Sequence, residues 1–381
     1  MTTDVSRTMN MPRKIGIFTF HCVDNFGAVL QCYALQKAIS SIGFQSDVID
    51  YCPSKLLEPF RIFQSPFVEG RSGLGGKIRA MAGNIIYALP RLMRRRKYHK
   101  FRATFLKTTP DSYSDQTQLG RLADESYSHY VTGSDQVWNA NILGGIDPAY
   151  FLGFPSCCAK RIAYAVSLGE EVPTRFYPDF RRYLPGFSSV SVREKSAQAF
   201  VQGFADKPVN VVLDPTFLIP IEEWVGLARL PSRKNYIFVY DIWTGPLMQD
   251  IVNFVSGKLG LKVISYSNRG LYRDAVASCF FDGPAEFLGL LLNADFVVTS
   301  SYHGTTLSIA NKKRFLTVPH PTRGARMADL LGMLGMSPRL IRDVRELAGV
   351  DLEADVNYST ADAVLWTEIK ESLSFLKSAL E

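Results

Sequence analysis

The run Ser301-Tyr302-His303-Gly304-Thr305-Thr306 sets an imidazole between an aromatic ring and a glycine. It lies where a strand expected over 295–304 turns into a helical pattern, so backbone N–H groups and the helix dipole there favour an anion. Gly304 permits close backbone approach and the threonines add hydroxyls. His303 could donate to a phosphate or act as an acid. A histidine that caps the helix or satisfies a buried carbonyl fits the same spacing.

Three further segments place reactive side chains at the end of an apolar run. Ser191-Val192-Arg193-Glu194 offers a guanidinium able to grip a carboxylate or phosphate with two bonds, or to pair with Glu194. Residues 133–139 bring together Asp135, Gln136, Trp138 and Asn139. An acid beside a tryptophan suits a sugar stacked on the ring, or a packed indole beside a helix-capping acid. Asp24 and Asn25 close the first apolar run. Asp214, ahead of Pro215, reads as a turn former.

These residues need a scaffold that gathers strand ends. An apolar run at 14–20, a helical pattern to Gly43 and a second run at 44–51 make one strand–helix–strand unit on a parallel sheet. Further strands are expected at 128–135, 160–169 and 209–218, with a strand followed by a helix over 189–204 and 219–235 as a linker. A second series begins at 235–242 and continues through 261–267, 295–304 and 314–319. The expected fold is α/β, with two Rossmann-like domains facing each other across a cleft. Residues 1–13 read as a flexible leader, 14–220 as an N-terminal domain on the acceptor side and 235–345 as a C-terminal domain on the donor-anion side. An amphipathic helix at 360–381 is expected to pack across the surface.

Bulk properties bound the class. With 381 residues, 46% of them hydrophobic and 12% aromatic, the chain is globular and long enough for two cores. No apolar run is long enough to span a membrane, and the N-terminus lacks a secretory pattern. Cysteines at 22, 32, 52, 157, 158 and 279 show no zinc-ribbon spacing. Reduced thiols in a cytoplasmic protein and no metal site are therefore expected. The net charge of +7 is moderate, but residues 91–107, within a basic helical insertion at about 75–107, carry eight Lys or Arg and no acid. Such a helix is either a solvated face or a contact with an anionic membrane surface. No nucleic-acid recognition pattern accompanies it.

Taken in order, residues 25–36 (NFGAVLQCYALQ), 131–139 (VTGSDQVWN), 191–197 (SVREKSA), 213–218 (LDPTFL) and 299–309 (TSSYHGTTLSI) resemble the polysaccharide pyruvyl transferase family. The resemblance runs from about residue 14 to 320. It implies the two-domain arrangement of inverting glycosyltransferases and transfer of pyruvate from phosphoenolpyruvate to a sugar of a bacterial exopolysaccharide, capsule or cell-wall polymer, as a ketal. Phosphoenolpyruvate is then a co-substrate, and no other cofactor is implied. Arg193 and His303 match positions associated with that donor.

On this resemblance Arg193, Ser301, Tyr302, His303, Gly304, Thr305 and Thr306 would bind the donor, with His303 also a candidate acid. Asp135 or Asp24 would be the base. Asn25, Gln136, Trp138 and Asn139 would line the acceptor side. Some members carry an arginine shortly before the equivalent histidine, and this chain has Ser300-Ser301-Tyr302 there instead. Arg193 with Arg323, Arg326 or Arg269 would then hold the donor carboxylate, or the donor differs. A lipid-linked oligosaccharide acceptor would give residues 91–107 a purpose at the inner membrane face. A nucleotide-sugar-dependent glycosyltransferase and a non-catalytic member of the same assembly machinery remain alternatives.

Overall fold

The computed structural model describes residues 14–63, 74–124, 127–154, 159–242, 245–267, 272, 275–320 and 324–381. The leader, Cys157, Cys158, Arg269 and Arg323 lie outside them. The first sheet holds β1 (Lys14–Phe18), β2 (Gln45–Tyr51), β3 (Thr108–Tyr113), β4 (Tyr127–Thr132), β5 (Lys160–Val166), β6 (Ser189–Val192) and β7 (Val209–Val211). Its order is β3-β2-β1-β4-β5-β6-β7. The second holds β8 (Tyr236–Asp241), β9 (Lys262–Ser267), β10 (Ala275–Ser278), β11 (Phe296–Thr299) and β12 (Phe315–Thr317), in the order β10-β9-β8-β11-β12.

The pairings within both sheets are parallel. That arrangement explains the continuous apolar runs, since a parallel strand covered on both faces has no polar side. In each sheet the chain winds to one edge and then returns to the other side of its first strand. The reversals fall between β1 and β4 and between β8 and β11. Crevices at such points, beyond the carboxyl ends of the strands, are where ligands bind in this architecture.

Four segments differ from expectation or add to it. The edge strands β3 and β10 lack apolar runs; their sequences, Thr-Thr-Pro-Asp-Ser-Tyr and Ala-Val-Ala-Ser, are largely exposed or half-buried. The linker expected at 219–235 contains a helix, Ile221–Leu227, anchored by the fully buried Trp224. The C-terminal helix, Ser359–Leu380, returns to the first sheet, where Ser372 Oγ accepts the Leu213 N–H at 2.9 Å.

The basic segment is the end of a helix, Leu74–Phe105, and most of its charge is used internally. Arg94 lies among Phe26, Tyr98, Tyr266 and Phe280, with Tyr266 centred 5.0 Å from its guanidinium carbon. Lys97 pairs with Asp282 and Glu286 beside the second sheet, and Arg102 with Asp24 beside the first. The helix braces the two halves against each other. Its exposed large apolar side chains include Ile85, Ile86, Tyr87, Leu89 and Met93, and Arg96, His99 and Lys100 are exposed further along the same helix. No helix among the described residues is long and apolar enough to cross a membrane.

Candidate active site at the domain junction

Two helix starts meet where the sheets face each other. Asn25 caps the helix Phe26–Ser41, its side chain accepting the Ala28 N–H at 3.2 Å. Ser301 caps the helix Tyr302–Ala310 in the same way through the Gly304 N–H, at 3.3 Å. The His303 ring rests on Gly27, and a Cβ added at Gly27 would overlap the imidazole. Glycine is needed there because a residue from the opposite domain occupies the space a side chain would take.

Behind His303 stands a fully buried ion pair. Arg193 Nη1 donates to Asp214 Oδ2 at 2.7 Å, and neither side chain is exposed. His303 Nε2 lies 3.5 Å from both Asp214 Oδ2 and Arg193 Nη1. Asp214 Oδ1 accepts from the Thr216 N–H and hydroxyl, at 3.0 and 2.8 Å, so the carboxylate is fixed from its own loop. Burial alone would raise the Asp214 carboxyl, but His303 and then Arg193 hold it well below the usual carboxylate range. The turn expected at Asp214 is present. Its further role in joining Arg193 to His303 had no local signal in the sequence, because its partners are remote in the chain.

The side chains reaching the cleft differ from those expected to clamp an anion. Arg193 is covered by Tyr302, whose ring centre lies 4.3 Å from the guanidinium carbon. Arg193 therefore reaches the cleft side of Tyr302 only through its contacts with Asp214 and His303. Arg326 lies 5.2 Å from the same ring and lines a cavity of about 250 Å³ with Glu194, Ser196 and residues 168–172. Its buried Nε has no hydrogen-bond partner among the described residues. Burial, followed by the Arg193 charge, pushes its pKa down to about 10. A cation so placed is stabilised by an incoming anion. Of the three arginines offered in place of the one missing before His303, the structure puts Arg326 beside Tyr302.

Several expected site residues are structural in this arrangement. Thr305 and Thr306 are fully buried, and their hydroxyls bond to Ser301 and Thr317 and to His303 and Thr216. Gly304 packs against Thr299 and Tyr240, so the helix start is a tight joint and not an open anion cradle. Trp138 cannot stack on a sugar: it is 1% exposed, stacks on Phe151 and donates Nε1–H to the Tyr150 carbonyl. Asn139 caps residues 140–143 and donates to Gln136, and both pack against Gly169. Asp135, at φ 79°, accepts the Gln136 N–H and lies 4.0 Å from Arg193. Asp24 is ion-paired with Arg95 and Arg102, at 3.6 and 3.3 Å.

Asp24 instead faces a cavity of about 510 Å³ beyond β1 and β2, walled by the basic helix. Its lining contains a group absent from the sequence-derived site, His21, Asp50 and Cys52, whose ligand-type atoms all lie within 4.8 Å of one another. The expectation of no metal-ligand cluster is corrected here. Spacing gave no warning because His21 follows β1 while Asp50 and Cys52 come from the end of β2, and only the parallel pairing of these strands unites them.

Two parallel α/β sheets with their reversal points in contact, and a histidine backed by a buried Asp–Arg pair between them, define a two-domain protein with a ligand-type cleft. The family model for polysaccharide pyruvyl transferase matches residues 25–321, and the chain belongs to that family of transferases. No curated protein sequence matches it. Among solved structures, the chain is similar to UDP-GlcNAc 2-epimerase of Methanocaldococcus jannaschii, with 10% identity, TM-score 0.47 and coverage of 93% of this chain and 99% of that one. It is also similar to the Streptomyces sp. SF2575 glycosyltransferase SsfS6, with 16% identity, TM-score 0.44 and coverage of 94% and 96%.

Proposed function

We propose that the protein transfers pyruvate, as a ketal, from phosphoenolpyruvate to a sugar of a bacterial surface-polysaccharide precursor. The observation carrying this reading is His303, held between Gly27 of one domain and the Arg193–Asp214 pair, with Arg326, whose buried Nε is unpartnered among the described residues, beside the neighbouring Tyr302 ring. His303 protonates the donor methylene carbon, which makes the adjacent carbon electrophilic. One sugar hydroxyl adds to that carbon and its proton replaces the one delivered. A second hydroxyl displaces phosphate, whose oxygen takes up the remaining proton. Arg326 balances the donor's negative charge as it redistributes. Asp214 and Arg193 orient the imidazole.

The larger cavity, with Arg61, Arg95, Arg102 and Asp24 in its lining, suits a sugar carried on a phosphate-bearing lipid. Contact with the inner membrane face would rest on the exposed Ile85, Ile86 and Leu89 more than on the internally paired arginines. Thermal unfolding with phosphoenolpyruvate or with nucleotide sugars tests the donor class. Stabilisation by phosphoenolpyruvate, followed by NMR detection of a pyruvate ketal on an acceptor sugar, is the expected result. Stabilisation by nucleotide sugars alone would assign the protein to glycosyl transfer.

A further inference from the structure

We infer that His21, Asp50 and Cys52 form a zinc(II) site whose fourth position opens into the 510 Å³ cavity beyond β1 and β2. The inference rests on these side chains and is independent of the pyruvyl-transfer reading. His21 Nε2 lies 2.8 Å from Asp50 Oδ1, and Cys52 Sγ lies 3.2 Å from the same oxygen. On its other side, His21 Nδ1 is 3.2 Å from the Thr19 carbonyl. A carbonyl can only accept, so Nδ1 carries the proton and the Nε2 lone pair of the neutral ring is directed at a carboxylate. That juxtaposition requires a positive charge between the two groups, supplied by either a proton or a metal ion. An Nδ1–H···O=C contact of this kind also orients a histidine that ligates through Nε2.

The ligand chemistry selects zinc. Imidazole, thiolate and carboxylate together suit this borderline-soft ion, and three protein ligands with one open position is the usual form of an exposed zinc site. Usual bond lengths and tetrahedral angles separate N from O by about 3.4 Å and S from O by about 3.6 Å. The N–O and S–O separations, 2.8 and 3.2 Å here, therefore need to open by about 0.6 and 0.4 Å. Arg61, Arg95 and Arg102 line the cavity, and the last two are paired with Asp24, which weakens their repulsion of a cation. Cys22, which interacts with Cys52, also lines the cavity. Binding releases the Cys52 thiol proton to solvent, and also the Nε2 proton of any imidazolium present.

The full chain, purified with a phosphine reductant, is loaded with zinc, dialysed and measured for metal content. A parallel sample takes cobalt(II) as a spectroscopic probe. About one zinc per chain is expected, together with a thiolate-to-cobalt charge-transfer band and the intense visible absorption of tetrahedral cobalt. Cys52→Ser should remove the charge-transfer band, and His21→Ala should weaken zinc binding roughly tenfold or more. Cys279→Ser, at a buried thiol elsewhere, should change neither. Because the band is read on the unaltered protein, a variant that fails to fold leaves the test intact. No retained zinc and no band would overturn the site and leave a proton-bridged His21–Asp50 pair. A band that survives in Cys52→Ser, or protection of Cys22 and Cys52 by a mutual disulfide, would also overturn it.

Discussion

His303 lies against the backbone of Gly27 with no room for a methyl group between them, although the two residues belong to helices of different sheets. The contact couples the spacing of the two domains directly to the orientation of one imidazole. Gly27→Ala should therefore turn or displace His303 while leaving both cores intact. A displacement of about 1 Å at a reacting group costs on the order of 100-fold in rate. Phosphate release from phosphoenolpyruvate in the presence of acceptor should fall by about that factor, with far-UV circular dichroism unchanged. A Gly27→Ala protein with full turnover would remove His303 from the chemistry.

Asp214 and Arg193 form a pair that is costly to break from one side. Asp214→Asn leaves a guanidinium with no solvent exposure beside a neutral amide, and should destabilise the protein by about 3–5 kcal/mol in urea unfolding. Arg193→Met combined with Asp214→Leu should recover much of that loss while remaining inactive, which separates the electrostatic cost from the catalytic role. The pH dependence has a definite sign. The ordinary carboxyl value is 3.8 and the folded value is far lower, so ionised Asp214 contributes fully above pH 3.8. The stability gap between wild type and Asp214→Asn should narrow as the pH falls below that value.

Arg326 makes the opposite prediction for stability. Its pKa is depressed, so the fold disfavours its charged form until an anion arrives. Arg326→Gln should leave the thermal midpoint of the ligand-free protein unchanged or slightly raised. The same variant should lose the upward shift that phosphoenolpyruvate or inorganic phosphate gives to the wild type. A full phosphate shift in Arg326→Gln would place the anion elsewhere.

The basic helix separates two roles that its sequence had merged. Arg94 is enclosed by aromatic rings from both halves and donates to the Asp24 carbonyl, so Arg94→Gln should lower the thermal midpoint through lost domain bracing. Replacing Ile85, Ile86 and Leu89 together with serine should leave that midpoint nearly unchanged and reduce co-sedimentation with anionic vesicles severalfold. Equal co-sedimentation of the triple variant and the wild type would remove this face from membrane contact.

The α/β architecture was legible because buried parallel strands such as β8 carry an unbroken apolar and aromatic run, Tyr236 to Tyr240, a pattern that needs no knowledge of their neighbours. The edge strands β3 and β10 were missed for the same physical reason, since strands half-covered by protein carry no such run. At the site, His303 and Arg193 could be named because each follows an apolar strand. Whether such a residue then faces solvent or lies behind another ring is a tertiary fact. Tyr302 covers Arg193, and Phe151 occupies the ring face that Trp138 would have offered to a sugar. The His21–Asp50–Cys52 group was invisible for a related reason: strand register, and not spacing within a segment, assembles it.

The return of the last helix to the first sheet bears on how the protein is made. Ser372 secures the amide of Leu213, immediately before Asp214, yet it is synthesised after the strands of both sheets. While a ribosome is still extending the chain, the two sheets can form, but the loop carrying the carboxylate behind His303 lacks this restraint. The loop behind His303 thus gains this restraint only once Ser372, 159 residues beyond Leu213, has been added and its helix has docked.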